Sequence, residues 1–257
     1  MSVVELKQSR KTKKALASNK QGDFKRPFQI NPNITGITKQ QDKTIELWNK
    51  GKNLILHGMP GTGKTFLALL LSLREIEKPD SIYEKVYIVR STVPTRDMGF
   101  LKGDHKEKME VYEDPYIKIC KDLYGRGDAY QNLKNTDKIE FLSTSYLRGT
   151  TFDKCIVIVD ETQNLNFHEC DTIITRLGNN AKIVFSGDFN QTDLTKEKDK
   201  SGFLEFLSCV KEHIGFGFVE FGIDDIVRSD FVKQYLIIKR KRGLIWVYNQ
   251  WEKENFI

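Results

Sequence analysis

No stretch of this 257-residue sequence stays apolar for the roughly 20 residues that a bilayer crossing requires, and the charged N-terminus lacks the apolar core of a signal peptide. A membrane partner is therefore not expected, and the cytoplasm is. Cysteine is scarce: Cys120, Cys155, Cys170 and Cys209 stand singly, without a Cys-x-x-Cys or a neighbouring pair of histidines. That spacing argues against zinc sites and disulfide frameworks and leaves reduced core residues. Gly and Pro form no linker, and neither repeats nor low-complexity tracts occur, so one compact domain is the simplest partition. Surplus acid is missing too, since 41 Lys and Arg face 35 Asp and Glu for a formal net charge of +6. Residues 1–26 hold eight of the bases (Lys7, Arg10, Lys11, Lys13, Lys14, Lys20, Lys25, Arg26) and only two acids, which accounts for the whole excess. Residues 1–32 read as a basic arm and residues 33–257 as the folded domain. Sequence-independent attraction to nucleic acid is concentrated in that arm, whose plain counterpart is a solvated tail.

What is present begins with one octapeptide. Between an apolar run at residues 53–57 and a helical pattern at 66–77 lie Gly58-Met59-Pro60-Gly61-Thr62-Gly63-Lys64-Thr65. A G-x-x-x-x-G-K-[ST] spacing between strand and helix cradles nucleotide phosphates. Its glycines let successive N–H groups turn inward, and the helix that follows presents its positive end. Lys64 supplies a cation for the β- and γ-phosphates, and Thr65 offers a hydroxyl to Mg²⁺. ATP and Mg²⁺ are the expected cofactors.

Hydrolysis also needs carboxylates that place the metal and activate water. Cys155-Ile-Val-Ile-Val-Asp160-Glu161 reads as a buried parallel strand ending in two acids, at the edge where α/β sheets bind ligands. Asp160 is expected to hold the Mg²⁺ shell and Glu161 to polarise the attacking water. A second buried run, Ile183-Val-Phe-Ser186-Gly187-Asp188, leads into Phe189-Asn190-Gln191, with Gln191 placed to sense the γ-phosphate. Strands are expected near 53–57, 85–90, 138–142, 155–159, 182–186 and 216–221. Helices are expected near 39–50, 65–77, 106–124, 167–177, 201–212 and 230–240, with Asn166 and Glu169 as a reciprocal cap and Gly178 as a stop. This alternation predicts an α/β P-loop NTPase, a RecA-like three-layer α/β/α sandwich with a mostly parallel central sheet.

The Gly-Asp-x-x-Gln turn ending at Gln191 resembles the third motif of superfamily 1 helicases, and the stretches between the motifs resemble one family. They are Arg90 through Gly99-Phe-Leu-Lys-Gly-Asp104, Tyr146-Leu-Arg-Gly-Thr-Thr-Phe152, Asp160-Glu-Thr-Gln-Asn164, Thr175-Arg-Leu-Gly178, Ser186-Gly-Asp188 with Gln191 and Asp193, Ser201-Gly202, and Asp225-Ile-Val-Arg228. Together they resemble the PhoH-like proteins over roughly residues 37–240. The resemblance implies an ATPase with a superfamily 1 helicase-like core. The PIN, KH and TRAM modules fused to some members have no counterpart here, which argues against nuclease activity and implies the stand-alone form found in bacteriophages, hence a host cytoplasm. Glu161-Thr162-Gln163 replaces the usual Glu-Ser-Gln or Glu-Ala-Gln, and Gly103-Asp104-His105 the frequent Gly-Asp-Leu.

By the same likeness a glutamine ahead of the cradle, Gln40 or Gln41, reads adenine. Loops beyond the strands would contact nucleic acid through Arg96, Tyr146 and Arg148, with Tyr146 stacking on bases. Trp246, Tyr248 and Trp251 read as docking against the core or a neighbour rather than as a stacking row. In two-domain helicases the second domain supplies an arginine to the γ-phosphate; here an identical neighbour is expected to supply it, with Arg228 favoured over Arg176 and Arg240. The implied assembly is a six-fold ring acting on single-stranded RNA or DNA. Two other functions fit the motifs: a nucleotide-gated interaction or regulatory protein with slow turnover and no unwinding, and a small-molecule kinase.

Overall fold

The computed structural model describes residues 28–34, 38–91, 105–147, 149–188 and 197–242. In chain order the elements are α1 (Lys39–Asn49), β1 (Asn53–Gly58), α2 (Lys64–Ile76), β2 (Lys85–Arg90), α3 (His105–Tyr124), α4 (Ala129–Asn135), β3 (Ile139–Ser143), β4 (Cys155–Asp160), α5 (Phe167–Ile174), β5 (Ala181–Gly187), α6 (Glu197–Glu212), β6 (Phe216–Phe221) and α7 (Asp230–Lys241). The six strands form one sheet in the order β3-β2-β4-β5-β1-β6, and every pairing is parallel. The RecA-like α/β sandwich expected from the sequence is the fold observed.

Alternation along each strand divides the core in two. Leu54, Leu56, Ile156, Ile158 and Val184 face a cluster completed by α2, α3 and α4. Ile55, Val157, Val159, Ile183 and Phe185 face a second cluster completed by α5 and α6. Both faces are covered, which is why β4 is apolar throughout. In register, Arg90, Asp160, Ser186 and Leu56 occupy successive strands at one level, so the carboxyl ends of β2, β4, β5 and β1 open on a common edge.

Several local details differ from the sequence expectation. Helix α4 was not anticipated; seven residues with Ala129, Tyr130 and Leu133 buried are too few to establish a period. Helix α5 stops at Ile174 rather than 177, because Leu177 bridges to Phe152 and Gly178 N–H donates to the Phe152 carbonyl at 2.6 Å. Gly178 serves close approach, not a left-handed stop: a Cβ there would lie 3.0 Å from that carbonyl. Packing begins ahead of residue 33, with Phe28 stacked on Tyr124, Ile30 buried and Asn31 N–H donating to the Leu123 carbonyl. Cys120, Cys155 and Cys170 are buried free thiols, whereas Cys209 is exposed. The Asn166–Glu169 capping box forms as expected. Among the described residues no helix is long and apolar enough to cross a membrane.

Candidate nucleotide-binding site

The loop after β1 turns back over the sheet edge with positive φ at Gly58, Gly61 and Gly63. Met59 N–H donates to the Phe221 carbonyl of β6, and Thr62 Oγ1 donates to the Met59 carbonyl. Beneath the loop, Met59 packs with Ile226 and Leu236, so the segment after β6 and helix α7 brace it from outside. Val227 N–H donates to the Gly61 carbonyl at 3.0 Å, seating Arg228 on the loop of its own chain. A Cβ on Gly61 would lie 2.7 Å from Arg228 Cγ. The expectation that Arg228 projects to a neighbour is thus not the placement seen: its stem covers its own phosphate loop.

Lys64 is 9% exposed and its Nζ donates to the carbonyls of Gly58 and Met59, each at 2.8 Å. Burial lowers its pKa, and Asp188, Asp160 and Glu161 oppose that shift. The neighbouring His57 is driven down to about 3 by burial and then by the Lys64 charge, so it stays neutral. Thr65 Oγ1 donates to Asp160 Oδ1 at 2.8 Å, and the fully buried Tyr116 donates to Asp160 Oδ2 at 2.9 Å. Burial, then the Glu161 charge, raise Asp160, against these two hydrogen bonds and Arg90.

Glu161 has φ +52, a strained conformation for a side-chain-bearing residue, and Thr162 pins it from behind by donating to the Val159 and Ser186 carbonyls. Gln163 Nε2 donates to Glu161 Oε2, while Gln163 Oε1 accepts from Asp188 N–H at 3.0 Å. One buried amide therefore ties the acid after β4 to the turn after β5. Gln41, not Gln40, reaches the loop: its Nε2 donates to the Thr62 carbonyl at 3.1 Å.

These groups border a cavity of about 900 Å³ that takes in Gln41, Lys64, Asp160, Glu161 and Arg228, and also Arg90. Ser186 Oγ, at its floor, is buried without a hydrogen-bond partner among the described residues, a group suited to a phosphate oxygen or bound water. Among the described residues no three His, Cys, Asp or Glu side chains gather as a metal cage. The Thr65 hydroxyl and Asp160 carboxylate are hard oxygen donors, and that sparse set fits Mg²⁺, which keeps waters and phosphates as its other ligands.

Tyr146 lies in the turn after β3 on the same sheet edge and is 55% exposed. Arg96, Arg148, Gln191, residues 1–27 and the aromatics Trp246, Tyr248 and Trp251 lie outside the described residues. Arg90, Tyr116 and Gln163 had no role assigned from sequence. A charged residue closing an apolar strand on the ligand edge was a signal for Arg90, and Gln163 lay within the Asp160–Asn164 stretch of the family resemblance; Tyr116 gave no signal, because its role depends on folded contacts.

The family model described as PhoH-like protein matches residues 33–239. The PhoH-like protein of Bacillus subtilis is 33% identical over 180 residues, covering 70% of this chain and 55% of that protein. The PhoH-like protein of Synechocystis is 31% identical over 205 residues, covering 78% and 60%. Protein PhoH of Escherichia coli K12 is 30% identical over 181 residues, covering 70% and 50%. The chain thus spans half to three-fifths of the length of these relatives.

Proposed function

The chain belongs to the PhoH-like protein family, and from that premise we propose that it is a Mg²⁺-dependent ATPase that works as a ring on single-stranded nucleic acid, in the manner of a helicase. The observation that carries the reading is the convergence of Lys64, Thr65, Asp160 and Glu161 on one cavity beneath the phosphate loop. Mg²⁺, when held by Thr65 and Asp160, would draw charge from the β- and γ-phosphate oxygens. Lys64 binds the same oxygens, Gln41 contacts the base side, and Glu161, fixed by Gln163, takes a proton from the attacking water. Gln191 and Arg228 attend the phosphates, Arg228 from the same chain. Arg96, Tyr146 and Arg148 meet the nucleic acid, helped by the basic residues 1–26.

Ring formation is supported by helix α7, whose Phe231, Tyr235 and Ile238 leave an apolar stripe in solvent beside the site. A nucleotide-gated interaction protein with slow turnover is the second reading. It is favoured by the two loop carbonyls that hold Lys64, from which phosphate must win it, so binding and loop rearrangement are coupled.

The test is steady-state ATP hydrolysis, titrated with single-stranded RNA and DNA, by the wild-type chain, Lys64→Ala and Glu161→Gln. The motor reading expects strand-stimulated turnover, lost in both variants, with ATP binding weakened in Lys64→Ala and preserved in Glu161→Gln. Slow turnover indifferent to both strands selects the gated protein, and equal loss of binding in both variants refutes the role given to Glu161.

A further inference from the structure

The expected geometry borrows its extra phosphate cation from a neighbouring subunit. The cavity itself argues otherwise. Arg90 ends β2, and its Cα is the register partner of Asp160 on the adjacent strand β4. Adjacent strands lie about 4.8 Å apart, well within the reach of an arginine side chain. Arg90 borders the same cavity as Lys64, Thr65 and Glu161.

Its guanidinium is held on two sides. It lies over the Tyr112 ring, 5.6 Å from the centroid, and it bonds to the Tyr116 oxygen. Tyr116 passes its own proton toward Asp160 Oδ2 at 2.9 Å, forming a chain of cation, phenol and carboxylate. Burial works against the Arg90 charge, but Tyr116, Asp160 and Glu161 outweigh it and raise its pKa, so the cation persists. A guanidinium oriented in this way carries little of the conformational cost of an arginine recruited from solvent.

We propose that Arg90 is a same-chain catalytic cation for the γ-phosphate, oriented by Tyr116, so that each chain completes its own charge set whatever its oligomeric state. The inference rests on the ATPase reading. The water oxygen bonds to the γ-phosphorus, the bond from that phosphorus to the β–γ bridging oxygen breaks, and ADP leaves with the electron pair. Glu161 takes the water proton. Arg90 transfers no proton and stabilises charge on the γ-oxygens as the bonds exchange.

The test compares wild-type, Arg90→Ala, Arg90→Lys, Tyr116→Phe and Lys64→Ala chains in three measurements: turnover, ADP affinity, and trapping of ADP–fluoroaluminate, which mimics the transferring phosphoryl group. Arg90→Ala should lower turnover by about 10²-fold or more. Its ADP affinity should stay within about threefold while ADP–fluoroaluminate trapping is lost, since only the analogue resembles the transition state. Arg90→Lys should restore part of the turnover, and Tyr116→Phe should reduce turnover without weakening ADP. Mixing Arg90→Ala with Lys64→Ala should restore nothing, because the cation and the intact loop must share one chain.

Equal loss of ADP and ADP–fluoroaluminate in Arg90→Ala would reduce Arg90 to a charge partner of Asp160 and overturn the proposal. So would near-wild-type turnover, or recovery on mixing. These outcomes leave the ATPase reading standing, whereas a wild-type chain without any turnover removes both.

Discussion

Gln163 holds Glu161 through its amide nitrogen and the Asp188 backbone through its amide oxygen. The carboxylate expected to activate water is thereby fixed to the strand end beside the phosphate loop. Gln163→Ala should lower ATP turnover by about 10–100-fold, the usual cost of losing such a support, with ATP affinity little changed. Gln163→Glu keeps the acceptor for Asp188 but sets a second negative charge against Glu161, and turnover should fall as far. Wild-type turnover in both variants would show that Glu161 needs no such anchor.

Gly61 and Arg228 form a second pair. A Cβ at Gly61 would stand 2.7 Å from the Arg228 stem, and the backbone there has φ +75, so Gly61→Ala is costly twice over, by collision and by backbone strain. The backbone part alone is worth about 1–2 kcal/mol. ATP affinity should drop at least tenfold. Adding Arg228→Ala should return only the collision part, leaving a coupling energy of about 0.5–3 kcal/mol in the double-mutant cycle. Additive effects would place the Arg228 stem away from the loop.

The sheet was legible because β1, β4 and β5 are nearly uninterrupted apolar runs that only a doubly covered strand tolerates, and the phosphate loop because its spacing is dictated by phosphate geometry. The choice between Gln40 and Gln41 was not legible: both lie near the start of α1, and only the helix phase turns Gln41 toward Thr62. The Tyr116–Asp160 bond joins residues 44 apart in sequence, and no local pattern marks it. The end of α5 was overrun for a related reason. Leu177 continues the helical period, but its long-range bridge to Phe152 takes it out of the helix.

A pH effect follows from the opposite end of the sheet. Lys182, at the start of β5, is buried with Nζ donating to the Trp48 carbonyl at 3.1 Å and lying 3.7 Å from the Trp48 ring centroid. Burial lowers its pKa from 10.5 to about 8, with Glu75 opposing and Lys78 assisting. Between those values the folded chain binds fewer protons than the unfolded chain, so this group makes stability rise with pH. Urea melts of wild-type and Lys182→Met at pH 8 and pH 10.5 should show the difference moving toward the wild type by about 2–3 kcal/mol. A difference that stays flat would mean that Lys182 keeps its proton in the fold.

On the proposed nucleic-acid reading, the eight bases of residues 1–26 would supply the sequence-independent part of the affinity. Each phosphate of a single strand that they neutralise should steepen the fall of log affinity with log salt by about 0.7. Deleting residues 1–26 should flatten that slope while leaving basal ATP turnover in place, since the phosphate loop and its carboxylates belong to the sheet edge. Tyr146→Ala should act in the other way, lowering affinity by about 1–3 kcal/mol at every salt concentration, because stacking releases no counterions. The two variants thus separate charge from stacking within one titration series. A deletion that leaves the slope unchanged would move the electrostatic contact off the arm and onto the loops around the cavity.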